Sequence, residues 1–406
     1  MRRAASSPTC CPVQTRPPER KRTIFMGQPV YRPAGRCQLP MRSYHRRPPN
    51  TEKQAMALSI GFIGAGNINR MHMKNAQALG LTLAAAADVN LAAAEECCKQ
   101  FGIAKAHDDW KKLLEDKSIH AVVIGTPNKF HAEQAIAALQ AGKHVFLEKP
   151  MAMNVGESDA IIAAMKKAKK LVQMGMVNRF RSSAQTLKHF IDAGRCGKIY
   201  SGQTFWYRRR GIPGFGGWFT TKSLSGGGAL IDIGVHMLDL ALYLMGFPRP
   251  VAVSGQTYNT WDSLDGYNYI SMWGKPTPGG RKDVDDYALA IIRFESGTTL
   301  QLNVSWALNV EFMQPELGLR LMGDKGGVAL QGLEEPYVYT EDAGHLVDVK
   351  PYFRKNDPGL DELKHFVECI EQKRQPMPSA EQGRTVQLLL DSIYKSSAEK
   401  REIKLD

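Results

Sequence analysis

From residue 58 onward the chain alternates short apolar runs with helical stretches, and this pattern constrains its fold more than any other feature. The predicted strands are Leu58–Ile63, Leu81–Ala87, Ala121–Ile124 and His144–Leu147. The predicted helices lie near Ile68–Leu79, Leu91–Phe101, Trp110–Glu115 and His131–Gln140. Strands that are apolar throughout are buried on both faces, as in a parallel sheet that helices cover on each side. We therefore predict a doubly wound α/β domain over residues 56–150, with right-handed crossovers.

A glycine turn follows the first strand, with the sequence Gly64-Ala65-Gly66-Asn67-Ile68-Asn69. Gly64 permits a tight turn, and Gly66 lets the backbone approach a pyrophosphate. The helix that starts at Asn67 and Ile68 would point its free N–H groups and positive dipole end at that anion. Asn69 replaces the third glycine of the usual Rossmann fingerprint, so a turn that binds no ligand remains the alternative.

Asp88 ends the second strand, 22 residues after Gly66. A carboxylate at this point can bind both hydroxyls of the adenosine ribose and would repel a 2′-phosphate. Neither Val89 nor Asn90 offers a cation to such a phosphate. The sequence therefore predicts NAD rather than NADP as the cofactor. The alternative is that Asp88 only caps the following helix.

The remainder of the chain predicts an α+β domain over residues 151–380 with a predominantly antiparallel open sheet. Thr299–Trp306 alternates apolar and polar residues, as a half-buried strand does. Further strands are expected at Tyr287–Phe294, Leu317–Met322 and Tyr337–Thr340, and further helices near Glu157–Lys170, Asp232–Leu244 and Asp361–Gln372. A last helix, within residues 381–406, is expected to return to the first domain.

Most of the net charge of +13 belongs to the N-terminal segment. Residues 1–55 hold ten arginines and two lysines against two glutamates, together with nine of the 22 prolines. We expect this segment to be disordered, and Met56 to be the working N-terminus if the start is misassigned. The remaining residues carry a net charge of only about +3, which does not favour a nucleic-acid partner. They also contain no long apolar run, which does not favour a membrane partner. Seven cysteines without metal-ligand spacing predict no metal site and a reducing, cytoplasmic location.

Two further segments are more specific than a generic nucleotide-binding fold. One runs from Gly125-Thr126-Pro127-Asn128 through His131 to Glu148-Lys149-Pro150, and the other is Gly226-Gly227-Gly228-Ala229-Leu230-Ile231-Asp232-Ile233-Gly234-Val235-His236. With the glycine turn and His72, these motifs resemble the Gfo/Idh/MocA family, which includes glucose–fructose oxidoreductase and inositol dehydrogenase. The resemblance covers residues 57–406.

The resemblance implies a catalytic set of Lys149, Asp232 and His236. Lys149 lies just beyond a parallel strand, where an ammonium can stabilise a developing alkoxide. Histidine suits removal of a hydroxyl proton near neutral pH. Asp232 and His236 are four residues apart, so on an α-helix the carboxylate would orient the imidazole and favour its protonated form. The alternatives are that Lys149 is a surface lysine at a strand end and that Asp232 and His236 make only a local helix contact.

Other roles follow from the same resemblance. Thr126, Pro127, Asn128 and His131 match the loop over the nicotinamide ribose, and Glu148 would lie near the nicotinamide. Arg179 matches a position near the substrate. Tyr207 and Arg209, in the run Trp206–Arg210, could line a sugar pocket, the alternative being a strand end with solvated arginines.

These observations predict an NAD-dependent oxidoreductase that transfers hydride between the nicotinamide and a ring CH–OH of a sugar, glycoside or cyclic polyol. One alternative is an NAD-dependent glycosidase that oxidises the ring transiently, eliminates the aglycone and recycles the cofactor. A second alternative is an NAD(H) sensor without catalysis. In the family that this chain resembles, one face of the second sheet is open and commonly forms an interface between copies, so the resemblance implies a homodimer or homotetramer.

Overall fold

The computed structural model describes residues 58–265, 267–268, 274–311 and 315–405. The predicted disordered tail, residues 1–55, lies outside this part of the chain. The first sheet consists of six parallel strands: β1 (Ser59–Ile63), β2 (Thr82–Ala87), β3 (Lys105–His107), β4 (Ala121–Ile124), β5 (His144–Glu148) and β6 (Val172–Gly175). Their order, β3-β2-β1-β4-β5-β6, is that of a Rossmann fold. The sheet continues to Gly175, beyond the boundary expected at residue 150.

Helices cover both faces of this sheet. They are α1 (Asn67–Ala78), α2 (Leu91–Phe101), α3 (Trp110–Glu115), α4 (His131–Gln140) and α5 (Val155–Ala168). Central strands β1, β4 and β5 are buried along almost their entire length, so their apolar residues contact the helices on either side. The expected doubly wound α/β architecture is thus confirmed.

The second sheet has nine strands in the order β14-β13-β12-β11-β7-β10-β9-β8-β15. The strands are β7 (Ile199–Tyr207), β8 (Pro250–Tyr258), β9 (Tyr287–Phe294), β10 (Thr299–Ser305), β11 (Leu317–Gly323), β12 (Gly327–Gln331), β13 (Glu335–Asp342), β14 (His345–Val349) and β15 (Ile403–Lys404). All neighbours are antiparallel except β7 and β10, which run parallel. This agrees with the predicted, predominantly antiparallel sheet.

The helices of the second half are α6 (Ser182–Asp192), α7 (Lys222–Ser225), α8 (Val235–Met245), α9 (Pro358–Gln372) and α10 (Ala380–Glu399). Helix α10 starts with a capping box between Ser379 and Gln382. It packs on β8 and α8 of the second half and on α5 and β6 of the first.

The segment before α8 differs from the α-helix expected at Asp232–Leu244. Leu230–Gly234 forms a π-helical turn, and only then does α8 begin. A π turn is one residue wider than an α turn, so α-helical spacing does not relate Asp232 to His236. The stretch Lys222–Met245 has the length and hydropathy of a membrane span, but 83% of its most apolar window is buried inside the protein, as in a core helix.

Candidate active site

A cavity of about 1230 Å³ opens at the carboxyl ends of the first sheet and extends to the second sheet. Its lining includes twelve of the residues that the sequence singled out: Gly64, Gly66, Asn67, Ile68, Asp88, Thr126, Pro127, Asn128, Glu148, Lys149, Asp232 and His236. Open α/β sheets bind ligands at this edge. The volume exceeds the ~300–1,000 Å³ typical of small-molecule sites, so two ligands fit together.

The glycine turn has the backbone geometry that dinucleotide binding requires. Gly64 has φ +99°, and a Cβ there would lie 2.8 Å from the carbonyl oxygen of Gly125. A Cβ at Gly66 would meet no atom of the described residues within 4 Å, so this backbone faces open cavity. The side chain of Asn69 is buried and its Nδ2 donates to the carbonyl oxygens of Ile63 and Gly64, at 2.8 Å each. Asn69 therefore braces the turn in place of the third glycine.

Asp88 is held beside this turn. Its Oδ2 accepts a 2.8 Å hydrogen bond from the backbone N–H of Ala65, and its Oδ1 accepts from Asn90 N at 2.9 Å. The carboxylate also lines the cavity, and the N-cap of α2 is Asn90, without a side-chain capping hydrogen bond, so Asp88 does not act as the cap. These contacts fit the ribose of a dinucleotide.

The loop after β4 is fixed by its own side chains. Thr126 Oγ1 donates to Gln134 Oε1 at 2.7 Å, and Asn128 Nδ2 donates to the carbonyl of Ser225 at 2.7 Å. The His131 ring is buried, with its two nitrogens 2.8 Å from Pro150 O and 3.0 Å from Thr126 O. His131 is absent from the cavity wall, which corrects its expected contact with the cofactor. Its ring instead joins this loop to the turn after Lys149.

Glu148 forms the floor of the cavity together with a histidine behind it. Glu148 Oε1 lies 2.7 Å from His72 Nε2, and Glu148 Oε2 accepts from the backbone N–H of Lys149 at 3.2 Å. Burial raises the pKa of this carboxyl, but the His72 hydrogen bond and the charges of His72 and Lys149 outweigh it, so the pKa lies below its usual value. Glu148 is therefore a fixed anion.

Lys149 reaches across the cavity to the other half of the molecule. Its Nζ donates to the carbonyl oxygen of Asp232 at 3.0 Å and to Oδ1 of the same residue at 3.1 Å. The Lys149–Pro150 peptide bond is cis. Both side chains are largely buried, with 17% and 7% exposed. The pair thus joins the end of the first sheet to the π turn.

Two further groups face the carboxylate of Asp232. Trp306 Nε1 donates to Oδ2 at 3.0 Å, and a guanidinium nitrogen of Arg208 lies 3.8 Å from the same oxygen. Burial raises the pKa of Asp232, but the charges of Lys149 and Arg208 and the two hydrogen bonds hold it below its usual value. Asp232 is ionised near neutral pH.

His236 lines the cavity next to this network. Burial, and then the charge of Lys149, lower its pKa to about 3, so the ring is neutral at physiological pH. Its Nδ1 is buried and has no hydrogen-bond partner among the described residues. The described contacts of Asp232 go to Lys149 and Trp306 rather than to His236. Among these contacts Asp232 makes no hydrogen bond that would orient the ring, because the π turn and Lys149 direct its carboxylate elsewhere. Its charge does raise the pKa of His236, as expected, but burial and the charge of Lys149 outweigh it.

Arg179 does not reach the cavity. It is fully buried, with Nε and Nη2 donating to Asp239 at 2.8 and 2.6 Å and Nη1 donating to Gln382 at 2.6 Å. Its guanidinium also lies 4.7 Å from the ring centroid of Phe247. The expected substrate contact is thus corrected: Arg179 is a core ion pair that joins α8 to α10.

Strand alternation corrects two more positions. Trp206 and Arg208 line the cavity, whereas Tyr207 and Arg209 do not. The ring of Tyr207 stacks on that of Phe205, with 5.5 Å between the ring centroids, on the sheet face that points away from the cavity. Arg209 is exposed. Because successive side chains of a strand point to opposite faces, Tyr207 at the end of β7 points away from the face of Trp206. Arg209 lies beyond the end of the strand, and its neighbour Arg208 reaches the cavity instead.

Some residues of the site carry no signal in their local sequence. Trp306 ends a predicted strand, but only the fold brings its indole to Asp232. Glu362 of α9 also reaches the cavity wall, and burial followed by the charge of Glu148 raises its pKa well above the usual value. Strand periodicity could have identified Trp206 and Arg208.

The arrangement fits a dinucleotide that lies from Asp88 past the glycine turn to Glu148, with space left beside Trp206, Arg208 and His236. A ligand at that second position would lie in the cavity whose wall includes the neutral imidazole of His236 and the ammonium of Lys149. Such a pair can accept a proton from a hydroxyl group and stabilise its oxygen.

Comparison with known proteins agrees with this geometry. Residues 58–176 match the family model "Oxidoreductase family, NAD-binding Rossmann fold", and residues 184–329 match "GFO/IDH/MocA C-terminal domain". D-Glucoside 3-dehydrogenase of Escherichia coli is 31% identical over 84% of this chain and 95% of its own length. Myo-inositol 2-dehydrogenase of Thermotoga maritima is 29% identical over 86% and 99%.

A similar solved structure is levoglucosan dehydrogenase in complex with NADH and levoglucosan. It has a TM-score of 0.75 and 26% identity, and the match covers 86% of this chain and 99% of that one. The predicted family, the NAD-binding domain and the oxidoreductase class are thereby confirmed. This chain belongs to the GFO/IDH/MocA family of NAD-binding oxidoreductases.

Proposed function

We propose that this protein transfers hydride between NAD and a ring CH–OH group of a sugar, glycoside or cyclic polyol. The observation that carries the proposal is the convergence of Lys149, Asp232 and His236 on the cavity that also contains the glycine turn and Asp88. The similar dehydrogenases for glucoside, levoglucosan and inositol support this substrate class.

His236 is the proton acceptor in this scheme. Burial keeps the ring neutral, so a lone pair can take the hydroxyl proton, and the charges of Asp232 and Glu148 favour the protonated ring that forms. Lys149 donates a hydrogen bond to the same substrate oxygen and stabilises its developing negative charge. Asp232 keeps the ammonium of Lys149 in place. Bound NAD supplies the hydride acceptor.

Trp206, Trp218 and Arg208 are the sugar-binding side chains in this proposal. All three line the cavity, and the Arg208 guanidinium lies 5.2 Å from the ring centroid of Trp206. An indole face stacks on the apolar face of a sugar ring, and a guanidinium donates to its hydroxyls. Asn67, Ile68, Thr126, Pro127 and Asn128 line the cofactor half.

Turnover of NAD with a substrate panel tests the function. We expect NADH to accumulate with at least one of methyl β-D-glucopyranoside, levoglucosan, myo-inositol and scyllo-inositol, in proportion to substrate consumed. Hydrolysis of the glucoside without net NADH would instead favour the glycosidase. NAD binding without turnover of any panel member would favour the sensor.

The assembly and location are proposals as well. Aromatic pairs lie along the second sheet, Phe205 with Tyr207 and Tyr337 with Tyr339, and Ile291 is 40% exposed. A second copy that packs on this face would bury them, so light scattering should give a dimer or tetramer, and a monomer at micromolar concentration would contradict this. The free thiols of Cys97, Cys98, Cys196 and Cys369 fit a reducing cytoplasm.

A further inference from the structure

Helix α10 lies outside the cavity wall, yet it bonds to segments on both sides of the catalytic cluster. The phenol of Tyr394 is the first contact: its hydroxyl donates a 2.6 Å hydrogen bond to Oδ1 of Asp285. Tyr394 is partly buried and Asp285 is 6% exposed. This bond therefore lies inside the protein, where a charge-assisted hydrogen bond is strong.

Asp285 in turn fixes the start of the segment that carries Asp232 and His236. Its Oδ1 accepts from the backbone N–H of Gly228 at 2.8 Å, and its Oδ2 accepts from that of Leu230 at 2.9 Å. The N–H of Ala229 donates to the carbonyl oxygen of Asp285 at 3.0 Å. Three consecutive amides, the last of them at Leu230, the first residue of the π turn, are thus bound by one residue.

The packing around these bonds explains the glycine run. A Cβ at Gly228 would lie 1.8 Å from the carbonyl oxygen of Asp285, and a Cβ at Gly227 would lie 2.0 Å from the hydroxyl of Tyr394. Both distances are too short for any side chain. Gly227 and Gly228 are therefore needed for the close approach of Asp285 and Tyr394 to the backbone.

Asp391 makes the second contact, from the preceding turn of α10. Its Oδ2 accepts from the backbone N–H of Val155 at 2.7 Å, and its Oδ1 accepts from Gln387 Nε2 at 2.8 Å. Val155 is the first residue of α5, which follows closely after Lys149 and Pro150. Residues three apart on a helix share one face, so Asp391 and Tyr394 bind both segments from the same side.

We propose that Asp391 and Tyr394 are positioning residues that set the placement of Lys149 relative to Asp232 and His236. Neither residue lines the cavity. Asp391 acts through the backbone at Val155, in the segment after Lys149, and Tyr394 acts through Asp285 on the backbone of the segment that carries Asp232 and His236. The expected effect on turnover rests on the proposed function, whereas the expected effect on the backbone of the two segments does not. A displacement of about 1 Å in such a cluster can cost up to ~100-fold in rate.

Three variants test the proposal, each in the full chain. Tyr394→Phe removes the hydroxyl, Asp391→Ala removes the acceptor, and Asp391→Asn retains an amide oxygen that can still accept. Asp159→Ala is the matched control, because it breaks the exposed 2.6 Å pair of Arg384 and Asp159, which also joins α10 to α5.

Hydrogen–deuterium exchange with NADH bound gives a readout that needs no substrate. We expect faster exchange across residues 228–236 in Tyr394→Phe and at the start of α5 in Asp391→Ala, with Asp391→Asn and Asp159→Ala close to the unmodified protein. Unchanged exchange in Tyr394→Phe and Asp391→Ala would overturn the proposal.

Kinetics give the second readout, at a temperature well below unfolding. We expect kcat to fall about 10-fold in Tyr394→Phe and Asp391→Ala, with the KM for NAD within about twofold and a larger deuterium isotope effect on kcat. An unchanged kcat and isotope effect would overturn the positioning role. If the unmodified protein turns over no member of the panel, the proposed function fails, and exchange alone decides the inference.

Discussion

The ammonium of Lys149 lies 3.1 Å from Oδ1 of Asp232, although the two residues are 83 positions apart in the sequence. One follows the last residue of β5, and the other belongs to the π turn before α8. A buried ion pair of this kind gains stability only if the remaining lone pairs are satisfied, and Trp306 does this for Oδ2. The pair directs the lysine at the position where a substrate oxygen would lie.

Replacing Lys149 should abolish most turnover without loss of cofactor binding. In Lys149→Met the hydroxyl oxygen loses the ammonium of Lys149, and we expect kcat to fall by ~100-fold or more. The Kd for NADH, measured by fluorescence quenching, should stay within about threefold. The double variant Lys149→Met/Asp232→Asn removes the unpaired carboxylate as well and should recover thermal stability but not activity. Turnover near that of the unmodified protein in either variant would refute the role of Lys149.

Neutral His236 makes the stability of the fold depend on pH. The pKa of the group is about 3 in the folded state and near 6.5 when unfolded, so protons bind preferentially to the unfolded chain. The stability it contributes is complete above pH 6.5 and is lost as pH falls toward 3. Relative to His236→Gln, the unmodified protein should lose about 2 kcal/mol of unfolding free energy between pH 7 and pH 5. Urea titrations at both pH values measure this; equal losses in both proteins would contradict the buried, neutral ring.

Arg208 and its neighbour Arg209 provide a matched pair for the substrate site. Arg208 lines the cavity, whereas Arg209 is exposed and does not line it. We expect Arg208→Met to lower kcat/KM for the sugar by roughly 10–100-fold, since a hydrogen bond to a charged group contributes about 1.5–3 kcal/mol. Arg209→Met should change it less than about twofold. The reverse ranking in steady-state assays would contradict the placement of Arg208 at the cavity and of Arg209 outside it.

Asp88 should determine the choice between NAD and NADP. In Asp88→Asn the residue retains an acceptor for the ribose but loses the charge that repels a 2′-phosphate. We expect the preference for NAD, expressed as the ratio of the two dissociation constants, to fall by about 10-fold. Calorimetric titration with each cofactor measures the ratio, and an unchanged ratio would assign the selectivity to another residue.

The first domain could be predicted well because its signals are local. Apolar strands, helix periodicity and the glycine turn all lie within short windows, and β1, β2, β4 and β5 were placed to within about a residue at each end. The short strand β3 was missed because three residues carry no periodicity. Strand β6 was missed because Gln173 and Gly175 interrupt its apolar residues, Val172 and Met174, so the strand does not form an apolar run.

The site residues that could be predicted are those that belong to a sequence motif or lie at the end of a strand. Lys149, Asp232 and His236 do share a cavity, but the partner of Asp232 depends on a π turn, which residue spacing does not reveal. Arg179 resembled a substrate ligand because a lone arginine after a strand gives no sign of its buried partner Asp239, which is 60 residues away. Contacts between distant segments, such as Asp285 with Tyr394, follow from the fold alone.

The fate of one hydrogen atom tests the central claim most directly. A panel substrate that carries deuterium on its ring carbons is incubated with NAD, and the NADH formed is analysed by mass spectrometry. The account predicts NADH one mass unit heavier, formed stoichiometrically by the unmodified protein and greatly slowed in Lys149→Met and His236→Gln. Consumption of substrate with no deuterium in the nicotinamide would contradict hydride transfer at this site.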